Sequence, residues 1–482
     1  MAIDSVSPMV AARHQMEDPQ EFVASLLHTS EDRTAKGIAA SVHRLITAGI
    51  LRPGDRLPTV REISAQLGVS PATVSEAWQS LALVGALTTR GRAGTFVALA
   101  TPGTGPTRFM GLGGPQSAVG LDLSRGTPDP ALLPSLLSAV ERVTRGQNEW
   151  SSSYFDEPVL GALEDELRRT WPFAPERITV VDGALDALSR IIDHVVSFGD
   201  RIVVESPGFP PLFDLLERAG AQMLAVSMDE QGIVPEELAR ALEFDPAAVF
   251  IQPRAQNPTG TSMTTLRSSE LAQILSSSAC WIIEDDHSGD IAQADDVSIG
   301  RYIPERCIHI RSYSKSHGPD LRIAALGGPS EVIEAIINRR MLGPGWTSRL
   351  LQGTLVELLT HAEPIAAVAH AREAYALRST HLRESLMDRG IACSPGDGIN
   401  VLVSVNDERS ALVTLAAAGI RVAPGEPFHL SKNTSLTGNA PRSASVRVTS
   451  GMLSDHPGEI ESTAQSIAIA SLGVEGFDAH RR

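Results

Sequence analysis

The chain is short of several things that would each have decided its class. Among its 482 residues are three cysteines, Cys280, Cys307 and Cys393, with no CxxC spacing. An odd, scattered set builds no disulfide framework; it fits a reducing compartment, with the thiols as packing groups. No stretch approaches the ~20 uninterrupted apolar residues that span a bilayer, so no membrane association is expected. The first residues, MAIDSVSPMVAARHQMEDPQ, put no cationic start before an apolar run, so they do not read as a secretory signal, and a cytoplasmic location is expected. Lysine is the scarcest resource. Of 41 basic residues only Lys36, Lys315 and Lys432 are lysines.

What is present is a globular chain, 42% hydrophobic and 20% charged, long enough for two or three domains. A net charge of −16 argues against nucleic acid for the whole, but the charge is uneven. Between Glu31 and Val97 eight basic residues face five acidic ones, so a basic head precedes an acidic body. Residues 1–30 read as a polar N-terminal arm with room for one short helix. Residues 31–97 form the head, and 98–120, rich in Gly, Pro and Thr, a flexible linker. From 121 to 482 short β-branched strands such as ITVVDG, RIVVESP, AAVFIQP, CWIIEDD and CIHIRSYS alternate with amphipathic helices. That alternation predicts an α/β fold on a mostly parallel sheet, with a smaller α+β part from about 345 onward.

Within the head, Pro58-Thr59 opens a helix that runs to Leu67, with Val60, Ile63 and Leu67 on one face. Gly68-Val69-Ser70 is a tight turn in which Ser70 can cap the next helix, and Pro71 takes that helix's first position. Val74, Trp78 and Leu81 face inward, while Thr73, Ser75 and Gln79 face outward. This is helix-turn-helix spacing, whose second helix enters the major groove. Leu87–Phe96, with Arg90-Gly91-Arg92 at its tip, makes a two-stranded wing. Across LRPGDRLPTVREISAQLGVSPATVSEAWQSLALVGALTTRGRAGTFVA the head resembles the winged-helix domain of GntR-type regulators. The resemblance implies double-stranded operator DNA as partner, with Arg61, Ser70, Thr73, Ser75, Arg90 and Arg92 at the interface. Pro71 and Ser75 stand where such regulators often carry arginine.

The body's strongest signal is SYSKSHGPDLRIAALGG. A strand delivers Lys315 into a loop, with Arg322 seven residues later. An arginine cannot form an imine, so a lysine retained here is a candidate Schiff-base amine, with Ser312 and Arg322 as phosphate ligands. The strand CWIIEDDHSGD ends in carboxylates, of which Asp285 is chosen to keep a pyridine nitrogen protonated; Glu284 and Asp286 are alternatives that read more readily as surface charges. In QPRAQNPTG the amide of Asn257 precedes a turn. In VVDGALDALSR the free amides of Ala184 and Leu185 open a helix as an anion site. Phe209, in ESPGFPP, offers an aromatic plate. No metal site is expected.

In this order these motifs resemble the fold-type I aminotransferases over roughly Leu121 to the C-terminus. The resemblance implies pyridoxal 5′-phosphate on Lys315, Asp285 on the pyridine nitrogen, Asn257 on the ring hydroxyl, Phe209 stacked, and Ser312 with Arg322 on the phosphate. It also implies that Tyr154 reaches the neighbouring subunit's phosphate and that Arg447 takes a substrate carboxylate. Three departures stand out: His287 replaces a tyrosine near the ring oxygen, Ala184-Leu185 replace a polar pair, and Arg254 and Gln256 occupy an unusual turn. A histidine at 287, neutral or half-charged near pH 7, would make binding pH-sensitive. Head and body together resemble the MocR family of regulators. That implies a homodimer, head-to-tail, in which an amino acid or amine displaces Lys315 as external aldimine and repositions the heads on DNA. The competing reading is a working aminotransferase with a vestigial head.

Overall fold

The structure is a computed structural model and describes residues 22–26, 33–47, 50–52, 54–83, 86–89, 94–98, 108, 111–112, 120–146, 153–430 and 444–472. The chain divides into two compact units, 1–105 with 197–199, and the rest.

The head holds helices α1 (Ala35–Thr47), α2 (Val60–Leu67) and α3 (Pro71–Leu83), then strands β1 (Leu87–Thr89) and β2 (Thr95–Val97) paired antiparallel. Helix α2 begins where the sequence supplies a reciprocal cap. The Thr59 hydroxyl accepts the Glu62 amide, and the Glu62 carboxylate accepts the Thr59 amide at 2.8 Å. It ends at Gly68, whose φ of 66° a side-chain-bearing residue rarely adopts. Ile63, Leu67, Val74, Trp78 and Leu81 meet in one core, as their spacing predicts. Part of the arm joins the core of the head. Residues 22–26 are helical, and Phe22, Val23 and Leu26 belong to that same core, Phe22 lying edge-on to Trp78 at 6.5 Å. An aromatic and two aliphatics in a polar stretch were enough to bury one turn.

The body is built on an eight-stranded sheet. Its strands are β4 (Arg177–Val181), β5 (Arg201–Ser206), β6 (Gln222–Asp229), β7 (Gly232–Ile233), β8 (Ala248–Ile251), β9 (Trp281–Asp286), β10 (Cys307–Ser312) and β11 (Ala324–Gly328), in the spatial order β4-β11-β10-β9-β8-β5-β6-β7. From β10 to β6 every neighbour is parallel, while β11 runs against β10 and β4. Parallel strands are covered on both faces, so β8 and β10 are buried along their whole length. The intervening helices are α4 (Leu136–Arg145), α5 (Gly161–Thr170), α6 (Ala184–Val195), α7 (Pro210–Ala219), α8 (Pro235–Leu242), α9 (Thr265–Leu275), α10 (Ser330–Met341) and α11 (Arg349–Thr360).

A second sheet, in the order β12-β14-β13-β3, joins β3 (Leu121–Leu123) to β12 (Val401–Ser404), β13 (Ile420–Pro424) and β14 (Ser445–Val448). Helices α13 (Glu408–Ala417) and α14 (Pro457–Leu472) cover it. The α+β part therefore starts later than 345 and also recruits β3 from the start of the body. Helix α11 packs its Leu355 and Leu358 into the large part with Leu163 and Leu167. Helix α12 (Ala362–Met387) bridges the two parts, its Leu382 and Leu386 lying in the small core. Cys280 and Cys307 are buried and Cys393 half-buried, all unpaired. No helix among the described residues is long and apolar enough to cross a membrane.

Candidate functional site

The residues singled out in the body come from the C-terminal ends of successive strands, where open α/β sheets place their ligands. Asp285 lies near the end of β9, Gln252 and Asn257 follow β8, Phe209 follows β5, Ala184 follows β4, and Ser312 and Lys315 close β10. Phe209, Gln252 and Asp285 line one recess.

Asp285 is buried, and its surroundings are deliberately incomplete. Gln252 Nε2 donates to Oδ2 at 2.8 Å, while Oδ1 has no partner among the described residues. Burial pushes its carboxyl up to about 6, against the Gln252 hydrogen bond and the Lys315 charge. Burial likewise pulls the half-buried Lys315 amine down to about 8; Asp285 works against this and Arg447 with it. A lysine more easily deprotonated than usual, together with a buried carboxylate that has one oxygen to spare, is what an aldehyde-bearing pyridine cofactor requires. The phosphate end also fits. Helix α6 opens without a side-chain cap at Gly183, whose φ is 105°, and a Cβ there would stand 3.0 Å from an Arg322 guanidinium nitrogen. Arg322 is itself held by the Asp182 carbonyl at 3.0 Å. The Ser312 hydroxyl accepts the Ser314 amide at 3.3 Å. Leu185 is 36% exposed, so the apolar pair at the helix start leaves this end open. The residues present therefore fit pyridoxal phosphate.

Arg447 is the other incomplete group. It is 1% exposed, and no carboxylate pairs with it among the described residues. Its Nη1 donates to Asn257 Oδ1 at 3.1 Å, its Nη2 donates to the Ser124 carbonyl, and its Nε has no partner. The guanidinium lies 5.1 Å from the centre of the Phe428 ring. Burial lowers it to about 10. A buried cation without a counter-ion is a ready carboxylate receptor.

Several expectations are corrected. Glu284 and Asp286 are both fully buried rather than at the surface. Glu284 accepts from Ser298 Oγ and the Ile299 amide, both at 2.6 Å, and lies 2.9 Å from His309 Nδ1. Asp286 pairs with Arg254 at 2.5 Å, so Arg254 in its unusual turn is an internal counter-ion rather than a disturbance. Asp286, Asp296 and His309 bring candidate ligand atoms within 4.8 Å of one another, but Arg254 and Arg311 already meet the carboxylates. His287 is buried with Nδ1 unpartnered, and burial and Lys315 hold it well below its ordinary value. That favours the neutral imidazole, one of the two states its sequence position allowed. Tyr154 is 82% exposed, 6.1 Å from the Trp346 ring, and touches none of these groups.

Two residues went unnoticed in the sequence. Gln252 aims Asp285 and, through Oε1, accepts the Asn257 amide at 2.9 Å. Glu205 accepts the Gln252 amide and Gln256 Nε2, each at 3.2 Å, and burial pushes it up to about 8. The available signal was a polar residue ending each of two apolar strands, RIVVE and AVFIQ.

In the head, Arg61 is exposed in the first turn of α2. Ser70 Oγ caps α3 by accepting the Thr73 amide at 3.1 Å and lies 2.9 Å from the Thr73 hydroxyl. Thr73 and Ser75 are half-buried. Arg90 and Arg92, expected at the wing tip, lie outside the described residues.

Comparison with known proteins follows this division. Residues 34–97 match the bacterial regulatory proteins of the gntR family, and residues 118–455 match aminotransferase class I and II. The vitamin B6 salvage pathway transcriptional repressor PtsJ of Salmonella typhimurium is 35% identical over 83% of this chain and 92% of its own length. The probable rhizopine catabolism regulatory protein MocR of Rhizobium meliloti is 27% identical over 69% of this chain and 73% of its own. Among solved structures, the multiple substrate aminotransferase of Thermococcus profundus superposes with a TM-score of 0.66 at 18% identity, over 77% of this chain and 96% of that one, which establishes the fold of the body. The chain belongs to the MocR-type transcription regulators, with a GntR-family DNA-binding head fused to an aminotransferase class I and II body.

Proposed function

We propose that the body binds pyridoxal 5′-phosphate at Lys315 and uses it to sense an amino compound, and that the outcome is read as altered binding of the head to operator DNA. The observation that carries this reading is the pair of unfinished buried charges, Asp285 and Arg447. Each is a buried group with hydrogen-bonding capacity left for a ligand to meet. When bound, the cofactor supplies an aldehyde that exchanges one primary amine for another. Asp285 would hold the pyridine N–H, Asn257 and the neutral His287 would face the ring hydroxyl, and Phe209 would cover the ring. Ser312, Arg322 and the α6 amides would hold the phosphate. Arg447 would take an α-carboxylate, which favours an amino acid over a plain amine. Tyr154, exposed as it is, would complete the site of a second copy in a head-to-tail homodimer. Arg61, Ser70, Thr73, Ser75, Arg90 and Arg92 would meet the operator.

The test is the visible absorbance of the purified protein with added pyridoxal phosphate, before and after each common L-amino acid. A band that forms and then shifts with particular amino acids supports the reading; a protein that stays colourless rejects it. A second reading, that the cofactor itself is the signal, is favoured by the vitamin B6 role in the name of the 35% identical relative. It requires operator affinity to change with pyridoxal phosphate alone. Rapid amino-group transfer to a keto acid without any binding to DNA would instead restore the enzyme reading.

A further inference from the structure

Part of the segment read in sequence as a loose linker is fastened to the body. Arg108 donates through Nη1 to Asp214 at 3.1 Å and through both terminal nitrogens to Glu217, and its guanidinium lies 5.9 Å from the centre of the Phe213 ring. All three partners are on α7, the helix that starts directly after Phe209. Four residues further on, Leu112 is buried against Ala423 and Phe428. Ala423 is the cross-strand partner of Arg447, and the Phe428 ring lies under the Arg447 guanidinium. The Phe428 carbonyl also accepts the Gly208 amide at 2.9 Å, in the turn that presents Phe209. One fully buried ring thus has the candidate effector receptor and the linker as immediate neighbours.

We propose that Phe428 is a positioning residue for Arg447 and that, through Leu112, it passes the occupancy of that arginine to the chain segment leading to the head. This rests on Arg447 being the effector's carboxylate receptor. The physical ground is charge. An uncompensated guanidinium is attracted to the face of the ring, and a carboxylate arriving on it draws that charge away, so the hold on the ring changes. Leu112 is seated on the same ring, and its packing has to follow. The effector then acts by binding the seated and released arrangements of the linker unequally, which is the only way a ligand shifts an equilibrium.

Arg108 is the sole trypsin site between residues 98 and 120, so cleavage after it reports release. The experiment uses the full chain loaded with pyridoxal phosphate, with and without each common L-amino acid. Phe428→Leu and Leu112→Ala are expected to be cut after Arg108 on the order of tenfold faster than the parent, because proteolysis follows the open population. Leu112→Ala is expected to keep the parent's spectral titration with whichever amino acid shifts the band, yet to lose the accompanying change in operator affinity. Phe428→Leu is expected to bind that amino acid several-fold more weakly while retaining the cofactor band. Parent-like cleavage in both variants overturns the proposal, as does a parent-like DNA response in Leu112→Ala. If Phe428→Leu does not fold, Leu112→Ala, at the edge of the cluster, decides the matter alone. If no amino acid shifts the parent's spectrum, it is the effector role of Arg447 that fails, and the cleavage rates still decide whether Phe428 holds the linker.

Discussion

Asp285 and Asp286 are consecutive in one strand and live in opposite worlds. Asp286 is met by Arg254 at 2.5 Å and by the Gly289 amide at 3.1 Å, and the nearby cations hold it at about 2 despite its burial. Asp285 has one amide donor, one bare oxygen, and a carboxyl at about 6. Strand alternation sends neighbouring side chains to opposite faces, so the two share a depth but not a surrounding. On the side of the sheet that carries Asp286 and Glu284 both carboxylates are met, Asp286 by Arg254 and Glu284 by Ser298, the Ile299 amide and His309. The side that carries Asp285 is left unfinished. Structural and functional burial differ here not in how deep a charge lies but in whether the protein supplies its partner.

The contrast can be broken most forcefully at Lys315. Lys315→Ala is expected to abolish the visible band produced by pyridoxal phosphate while leaving the circular dichroism unchanged; a parent-like spectrum in this variant would falsify the assignment. Next in size is the pair itself. Asp286→Asn removes the counter-charge closest to the buried Arg254, leaving Asp296 at 3.8 Å and the Ala294 carbonyl at 3.4 Å, and should cost about 3 kcal/mol in urea denaturation. Asp285→Asn should cost no stability but weaken pyridoxal phosphate roughly tenfold or more in equilibrium dialysis, by loss of a charge-assisted hydrogen bond. Equal stability losses in the two variants would dissolve the distinction between the faces.

A subtler effect separates the two by pH. In the cofactor-free protein the Asp285 carboxyl lies above its ordinary 3.8, at about 6. The folded state therefore keeps a proton that the unfolded chain releases, and this contribution to stability is lost as pH rises through that window. Asp286, lowered to about 2, contributes above its unfolded value, and its share is lost as pH falls. Urea midpoints on either side of the window should therefore fall with rising pH less steeply in Asp285→Asn than in the parent. The smallest expected change is in the head. Arg61→Ala should lower operator affinity across sequences and reduce the salt slope by about one, read by a mobility shift at several salt concentrations. An unaltered slope would make Arg61 a bystander on the exposed side of α2.

The sequence by itself determined the parts that depend on local pattern and on irreplaceable chemistry. Gly68, the Thr59–Glu62 cap and the inward spacing of Val74, Trp78 and Leu81 specify a helix-turn-helix without long-range information. Apolar strands punctuated by helices specify the parallel sheet and hence the edge at which a site can form. Lys315, one of three lysines in a chain of arginines, stood out because a guanidinium cannot form an imine. Tertiary structure alone decided which charges are complete. The burial of Glu284 and Asp286, the pairing of Arg254, the neutrality of His287 and the roles of Glu205 and Gln252 all depend on partners 14 to 51 residues away in the chain or on the loss of water around them. The same holds for the linker. Its composition reads as flexible because glycine and proline weaken local structure, but two side chains, Arg108 and Leu112, found partners across a fold that local composition does not encode. A charge or an apolar side chain is read easily from sequence. Whether it is satisfied is a property of what the fold brings beside it.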